Sequence, residues 1–179
     1  MKSVVLIGHR AAGKTSVGSL LARELNLDFV DTDQWIVQKK RMSIESIFEI
    51  HGEEMFRQYE ERALLELSRV NTVIACGGGT PMFLGNQKTI SKRFGLCIYL
   101  DVPMQQLLER RMGKSRDVNR PVLAGYKDVS DEVYNTYKNR QRIYESLADI
   151  RYDCNRQSVE NTVRGLIELL QSHRETGKD

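Results

Sequence analysis

Short apolar runs alternate along this chain with longer stretches of helical period. The runs predict buried strands over Ser3 to Ile7, Asp28 to Asp31, Thr72 to Cys76, Leu96 to Leu100 and Asp149 to Asp153. Between them, apolar residues recurring one helical turn apart predict helices over 14–26, 33–50, 53–69, 86–92, 103–112, 130–147 and 158–172. The last helix is the plainest, because Val159, Val163, Leu166, Ile167 and Leu170 fall on one stripe and Ser158 stands where a cap belongs. Such alternation predicts an α/β fold, with a parallel sheet covered by helices on both faces.

One segment breaks the pattern. GKSRDVNRPVLAGYKDV, following Met112, has no sustained period and carries Gly113, Pro121 and Gly125. An irregular loop of that length inside a compact domain usually serves function. The polar tail over 173–179 is expected to fray. No repeat and no second hydrophobic unit divides the chain, so a single domain over 1–179 is expected.

Composition narrows the class. Of 179 residues, 40% are hydrophobic and 28% charged, which fits a globular chain with a true core rather than a disordered one. No apolar run is long enough to span a membrane. The chain enters its first strand after a single lysine, without the features of a secretory leader, so a cytoplasmic location is expected. Cys76, Cys97 and Cys154 are odd in number and far apart, which favours free buried thiols over disulfides or a metal site. A net charge of +3 with no basic block gives no reason to expect a nucleic-acid partner.

The chemistry begins at GHRAAGKT, residues 8–15. Gly8, Gly13, Lys14 and Thr15 match G-x-x-x-x-G-K-[ST], between a predicted strand and a predicted helix. In that context the backbone N–H groups of the loop and the helix N-terminus converge on an anion, and Lys14 adds a full charge. Thr15 offers a hydroxyl to Mg²⁺. A bound nucleotide serves either as a switch or as a phosphoryl donor. The base-reading Asn-Lys-x-Asp of guanine-nucleotide switches is absent.

Three further stretches point to a donor. Asp31-Thr32-Asp33 ends the second strand, and residues two apart on an extended strand share a face, so both carboxylates can project together at the ligand-binding edge of the sheet; the plain alternative is a solvated turn that caps the following helix. In IFEIHGEEMFRQYE, residues 47–60, Arg57 and Glu60 lie one helical turn apart; the plain reading is a surface ion pair. Gly77, Gly78 and Gly79 follow the third strand, and close approach of main chain to a ligand is one reason to accept the entropy cost of three glycines.

The phosphate loop, Asp-Thr-Asp, IFxxxGExxFRxxE, the triple glycine, RPVLAG and the Arg140 to Tyr144 segment together resemble the shikimate kinase family, in order and from Ser3 to about Leu170. That resemblance implies a three-layer α/β/α P-loop kinase with a five-stranded parallel sheet in order 2-3-1-4-5. It also implies a mobile lid about 113–127, substrate-binding helices about 33–69, and transfer of the ATP γ-phosphoryl to the 3-hydroxyl of shikimate. By the family's pattern Gly8, Ala11, Ala12, Gly13, Lys14, Thr15 and Ser16 would hold the nucleotide. Arg120 would reach its phosphates from the lid, Arg111 would lie against adenine, and Arg156 would stand on the adenine side. Mg²⁺ would be met by Thr15 and, through water, by Asp31. Asp33 would hold the reacting hydroxyl, with Lys14, Asp33 and Arg120 as the catalytic set. Arg57, Arg140 and Gly77, Gly78 and Gly79 would bind shikimate, Phe48 and Phe56 would wall its pocket, and Glu60 would orient Arg57. A monomer is expected.

Two positions depart from the family pattern. Ala11 stands where a glycine is common, so a Cβ must be accommodated inside the phosphate loop. The segment from Asp153 to Ser158 lacks a proline common in the adenine-binding loop. A kinase for another hydroxylated acid such as gluconate, and a nucleotide-binding module without turnover, are the competing readings. Retention of Asp33, Arg57, Arg120 and Arg140 speaks against the second, because nucleotide binding alone needs no acid-binding arginines.

Overall fold

The computed structural model describes residues 3–68, 71–113 and 122–175. Five strands, β1 (Val4–Ile7), β2 (Asp28–Asp31), β3 (Thr72–Ala75), β4 (Leu96–Asp101) and β5 (Ile150–Asp153), form one parallel sheet in the order β2-β3-β1-β4-β5. Around it lie α1 (Lys14–Leu25), α2 (Thr32–Lys40), α3 (Ile44–Leu67), α4 (Leu84–Arg93), α5 (Met104–Met112), α6 (Val129–Leu147) and α7 (Val159–Glu175). The expected strand order and α/β class hold. Arg120, Pro121, most of the expected lid and the end of the tail lie outside the described residues.

The sheet has two covered faces because alternate side chains of each buried strand point to opposite sides. Val4 and Leu6 of β1 join a core with Val17 and Leu21 of α1, Leu107 of α5, and Val163, Leu166 and Leu170 of α7. Val5 and Ile7 join the other core, with Ile36 of α2, Ile47, Phe56 and Leu64 of α3, Ile90 of α4 and Tyr144 of α6. The three cysteines are free and buried. No helix among the described residues is long and apolar enough to cross a membrane.

Helix boundaries explain where the apolar pattern misleads. The period over 33–50 predicts one helix, but α2 ends at Lys40, Arg41 turns left-handed at φ 54°, and Ser43 starts α3 by accepting the Ser46 N–H at 3.1 Å. Local capping therefore splits a stretch whose hydrophobic spacing continues through the turn. A second interruption falls at Gly52, with φ 76° and ψ 173° inside α3, a conformation that favours glycine and redirects the segment carrying Arg57. At α7, Ser158 caps as expected, its Oγ accepting the Asn161 N–H at 3.2 Å.

Leu166 is fully buried between α7 and the sheet. Leu166→Ala should lower unfolding free energy by about 2–5 kcal/mol in urea titrations, through lost burial and a residual cavity. A change below about 1 kcal/mol would contradict the packing described here.

Candidate active site

Parallel register brings the functional loops to one edge. Leu6 of β1 and Asp31 of β2 both lie beside Ala75 of β3, so the residues after each strand emerge together. This is the carboxyl edge, where open α/β sheets hold ligands.

The loop after β1 closes on itself. Lys14 is buried, and its Nζ donates to the carbonyl oxygens of Gly8 at 2.9 Å and His9 at 2.7 Å. Ala12 N–H donates to His9 O at 3.2 Å. Ala12 is buried and Ser16 exposed, while Gly13 adopts φ 91° just before α1. Ala11 adopts φ 62°, so the loop takes a left-handed step with a Cβ present. Its carbonyl accepts from Arg110 Nη1 at 3.1 Å, tying the step to α5.

Thr15 Oγ1 donates to Asp31 Oδ2 at 2.7 Å. The other Asp31 oxygen accepts the N–H groups of Asp33 at 3.0 Å and Gln34 at 3.2 Å, capping α2. The extended-strand reading of Asp-Thr-Asp thus needs correction: Asp31 ends β2, but Asp33 already lies in the first turn of α2. The two carboxylates face different partners. Asp31 looks to the phosphate loop, and Asp33 looks to the triple glycine.

Each of the three glycines is matched to a different neighbour. A Cβ on Gly77 would come within 2.6 Å of Asp33 Oδ1, one on Gly78 within 3.2 Å of the Arg10 backbone N, and one on Gly79 within 2.8 Å of Arg57 Nη1. Any side chain there would push against the acid, the phosphate loop or the guanidinium. Thr32 Oγ1 accepts the Gly77 N–H at 3.1 Å, and the Tyr144 hydroxyl donates to Gly78 O at 2.6 Å.

Arg57 and Glu60 form no surface pair. Their side chains are 12% and 1% exposed, and Arg57 Nη1 donates to Glu60 Oε2 at 2.8 Å. Thr80 Oγ1 donates to the other Glu60 oxygen at 2.5 Å. Helical spacing made them neighbours, but tertiary packing of α3 against the glycine loop buried them. Burial raises the Glu60 pKa, and Arg57 and Thr80 oppose the rise. Burial also works against the Arg57 cation, yet Glu60 and Glu53 outweigh it and keep the guanidinium charged. Glu53, the GE glutamate of the quoted motif, to which the sequence reading gave no role, accepts from Arg57 Nη2 at 2.8 Å. Phe48 and Phe56 sit beside this group with ring centroids 4.7 Å apart.

Arg140 projects from α6, half-buried, toward Tyr144 and His9. Lys14 acts on the same imidazole, so Arg140 and the phosphate loop share one neighbourhood. Arg111 turns inward instead of toward a base: its side chain is 2% exposed, and Nη2 meets Glu132 Oε2 at 3.3 Å. Arg110 is the arginine of α5 that reaches the loop. It also lines a cavity of about 420 Å³ with Gln106, Asn155, Arg156 and Gln157. Arg156 is exposed, at φ 52°, and its N–H donates to Gln106 Oε1 at 3.2 Å. Arg120 lies outside the described residues.

His9 is the side chain that sequence reasoning missed most clearly. It is 3% exposed, stacks on Tyr137 at 4.8 Å and 15°, and meets Tyr144 edge-on at 4.8 Å. Tyr137 and Tyr144, seven apart, share a face of α6, and that spacing was the available signal. Burial first, then Lys14 and Arg140, hold the imidazole down to about 3.

A self-closed phosphate loop, a hydroxyl and carboxylate beside it, and an acid and arginine on the adjoining glycine loop define a P-loop phosphotransferase acting on a small molecule. The family model for shikimate kinase matches residues 10–171, and the chain belongs to the shikimate kinase family. It is 36% identical to a shikimate kinase from Alkaliphilus oremlandii over 93% of this chain and 98% of that one. Among solved structures it resembles shikimate kinase from Acinetobacter baumannii in complex with shikimate, with TM-score 0.88 and 32% identity over 97% of this chain and 94% of that one. Shikimate kinase from Aquifex aeolicus gives TM-score 0.79 at 32% identity, over 98% of this chain and 99% of that one.

His9 also predicts a pH dependence of stability. Unfolded histidine titrates near 6.5 and folded His9 near 3, so between those values the unfolded chain binds the extra proton. Stability present above that window is lost as pH falls through it. Urea unfolding should show about 2 kcal/mol lost to His9 between about pH 7.5 and about pH 5, and His9→Phe should remove that part of the slope. Parallel profiles for the two proteins would contradict the assignment.

Proposed function

We propose that this chain transfers the γ-phosphoryl of ATP to the 3-hydroxyl of shikimate, giving shikimate 3-phosphate and ADP. The observation that carries this reading is the pairing of Asp33 and Arg57 on opposite ends of one glycine loop whose middle residue adjoins the phosphate loop. An acid that can align a hydroxyl and a cation that can grip a carboxylate therefore stand within reach of the donor phosphate. The substrate of the Acinetobacter baumannii complex carries both groups.

In this mechanism Arg57 and Arg140 take the shikimate carboxylate. A guanidinium offers two parallel N–H donors, so it fixes orientation as well as position. Glu60 holds Arg57 from behind, and Thr80 holds Glu60. With the acid end anchored, one ring hydroxyl faces Asp33, which aligns it for in-line attack and accepts its proton as the bond to phosphorus forms. Phosphoryl transfer passes through a loose transition state, so alignment and charge neutralisation count for more than early proton removal.

The donor side follows from the loop. Backbone N–H groups of residues 8–16 surround the phosphates, and Lys14, now folded onto the Gly8 and His9 carbonyls, turns its ammonium to the transferring group. Arg120 adds positive charge in the same reading. Thr15 Oγ1 and the Asp31 carboxylate are hard oxygen donors side by side, a set that suits Mg²⁺ bound chiefly through phosphate oxygens. Bound there, the ion neutralises phosphate charge. Among the described residues no cluster of three or more acidic, histidine or cysteine groups forms a metal site, which fits an ion that arrives with its nucleotide. Arg110 and Arg156, at the mouth of the 420 Å³ cavity, receive the base; the sequence reading gave that side to Arg111 and Arg156.

A coupled ADP-release assay with Mg-ATP should show turnover with shikimate and little with quinate or gluconate. Turnover only with gluconate would replace the substrate, and none with any acid would remove the activity. Arg57→Ala should raise KM for shikimate at least about tenfold while leaving KM for ATP within about twofold, since the lost contact belongs to the acid. Asp33→Ala should lower kcat by about a hundredfold or more. Equal changes in both KM values would count against the carboxylate clamp.

A further inference from the structure

Glu132, in the first turn of α6, takes no part in the mechanism above, yet its side chain is only 2% exposed. A buried carboxylate persists only when paired and hydrogen-bonded. Among the described residues its partners come from three separate segments. Oε1 accepts from Arg10 Nη1 of the phosphate loop at 3.0 Å. Oε2 accepts from Arg111 Nη2, at the end of α5, at 3.3 Å, and from the Leu123 backbone N–H at 3.0 Å. Arg111 and Leu123 flank the segment 114–121 on its two sides.

We infer that Glu132 is a positioning residue for phosphoryl transfer, a carboxylate that fixes the phosphate loop to the end of α5 and to the chain entering α6. The argument rests on what each partner adjoins. Arg10 places its backbone N against Gly78, the middle of the substrate loop, so its position sets the spacing between donor and acceptor loops. Arg111 fixes the end of the helix whose preceding residue, Arg110, donates to Ala11 O. Leu123 N–H is a backbone donor, so Glu132 fixes main chain rather than a side chain alone. Loss of the charge removes the anion that Arg10 and Arg111 share, and breaking a buried charged set is costly. The phosphate loop then loses a tie to α6, and small displacements near reacting groups are costly.

The inference rests on the proposed kinase activity, and its test separates the two. In Glu132→Gln the shape is kept and the charge lost. The expected result is a fall in kcat of at least about tenfold, with KM for shikimate within about twofold, because the acid clamp on α3 does not touch Glu132. ADP affinity by calorimetry should weaken by about fivefold or more, a readout that needs no turnover. Glu132→Asp should recover part of the loss.

Should Glu132→Gln fail to fold, Arg10→Met removes the bond to Glu132 from the other side, at a side chain that is 19% exposed, and should lower kcat in the same way. Where both fold, the double variant should be no slower than Glu132→Gln alone, the mark of two residues acting through one contact. Unchanged kcat and ADP affinity in Glu132→Gln, or losses that multiply in the double variant, would overturn the assignment. A wild-type protein inactive toward shikimate would defeat the kinase reading and leave the ADP arm to decide this one.

Discussion

The parallel pairing of β3 with both β1 and β2 is the constraint on which the site depends. Because Leu6 and Asp31 share Ala75 as a lateral neighbour, the phosphate loop, the start of α2 and the triple glycine begin at one height along the sheet. Nothing in those loops alone would bring Asp33, Arg10 and Arg57 against three consecutive glycines. The sheet supplies the common origin, and short connections after each strand leave little freedom to depart from it. A slip of one residue in β3 would turn its side chains to the opposite face and move the glycines relative to Asp33 and Arg57 together.

Buried charge is handled by local closure. Lys14 spends its donors on the Gly8 and His9 carbonyls, Glu60 divides its oxygens between Arg57 and Thr80, and Glu132 divides its own among Arg10, Arg111 and Leu123. Removing one member of such a set leaves an uncompensated ion, which costs more than the pair contributes to stability. These sets are therefore better understood as devices that hold geometry than as sources of stability. Their placement agrees: each joins a loop at the carboxyl edge to a helix behind it.

The inner strands β1, β3 and β4 were legible because a buried parallel strand needs a continuous apolar run; the edge strands β2 and β5, with sequences DFVD and IRYD, are more exposed than the buried runs expected of them. The sheet's order and the roles of single residues came from resemblance, since periodicity carries no information about which strands are neighbours. Where the reading failed, depth or direction was at stake. Spacing placed Arg57 beside Glu60 but could not show that the glycine loop and Thr80 would close over them. Alternation placed Asp31 and Asp33 on one face, but Asp31 capped α2 and ended the strand between them. Adjacent residues on a helix point about 100° apart, so Arg110 reaches the Ala11 carbonyl while Arg111, assigned to adenine by resemblance, packs against Glu132.

The left-handed step at Ala11 shows how the two cores and the site are connected. A non-glycine residue at φ 62° carries strain, and strain persists only where surrounding contacts over-determine the conformation. Here Arg110 takes the Ala11 carbonyl from the α5 side, Ala12 is buried in the core shared with α1 and α7, and His9 is clasped by the tyrosines of α6. The loop is thus gripped at His9, Ala11 and Ala12, by helices on both faces of the sheet. That grip accounts for the tolerance of a Cβ at this position. It also places the cost of the step in helix packing, away from the N–H groups that must stay directed at phosphate.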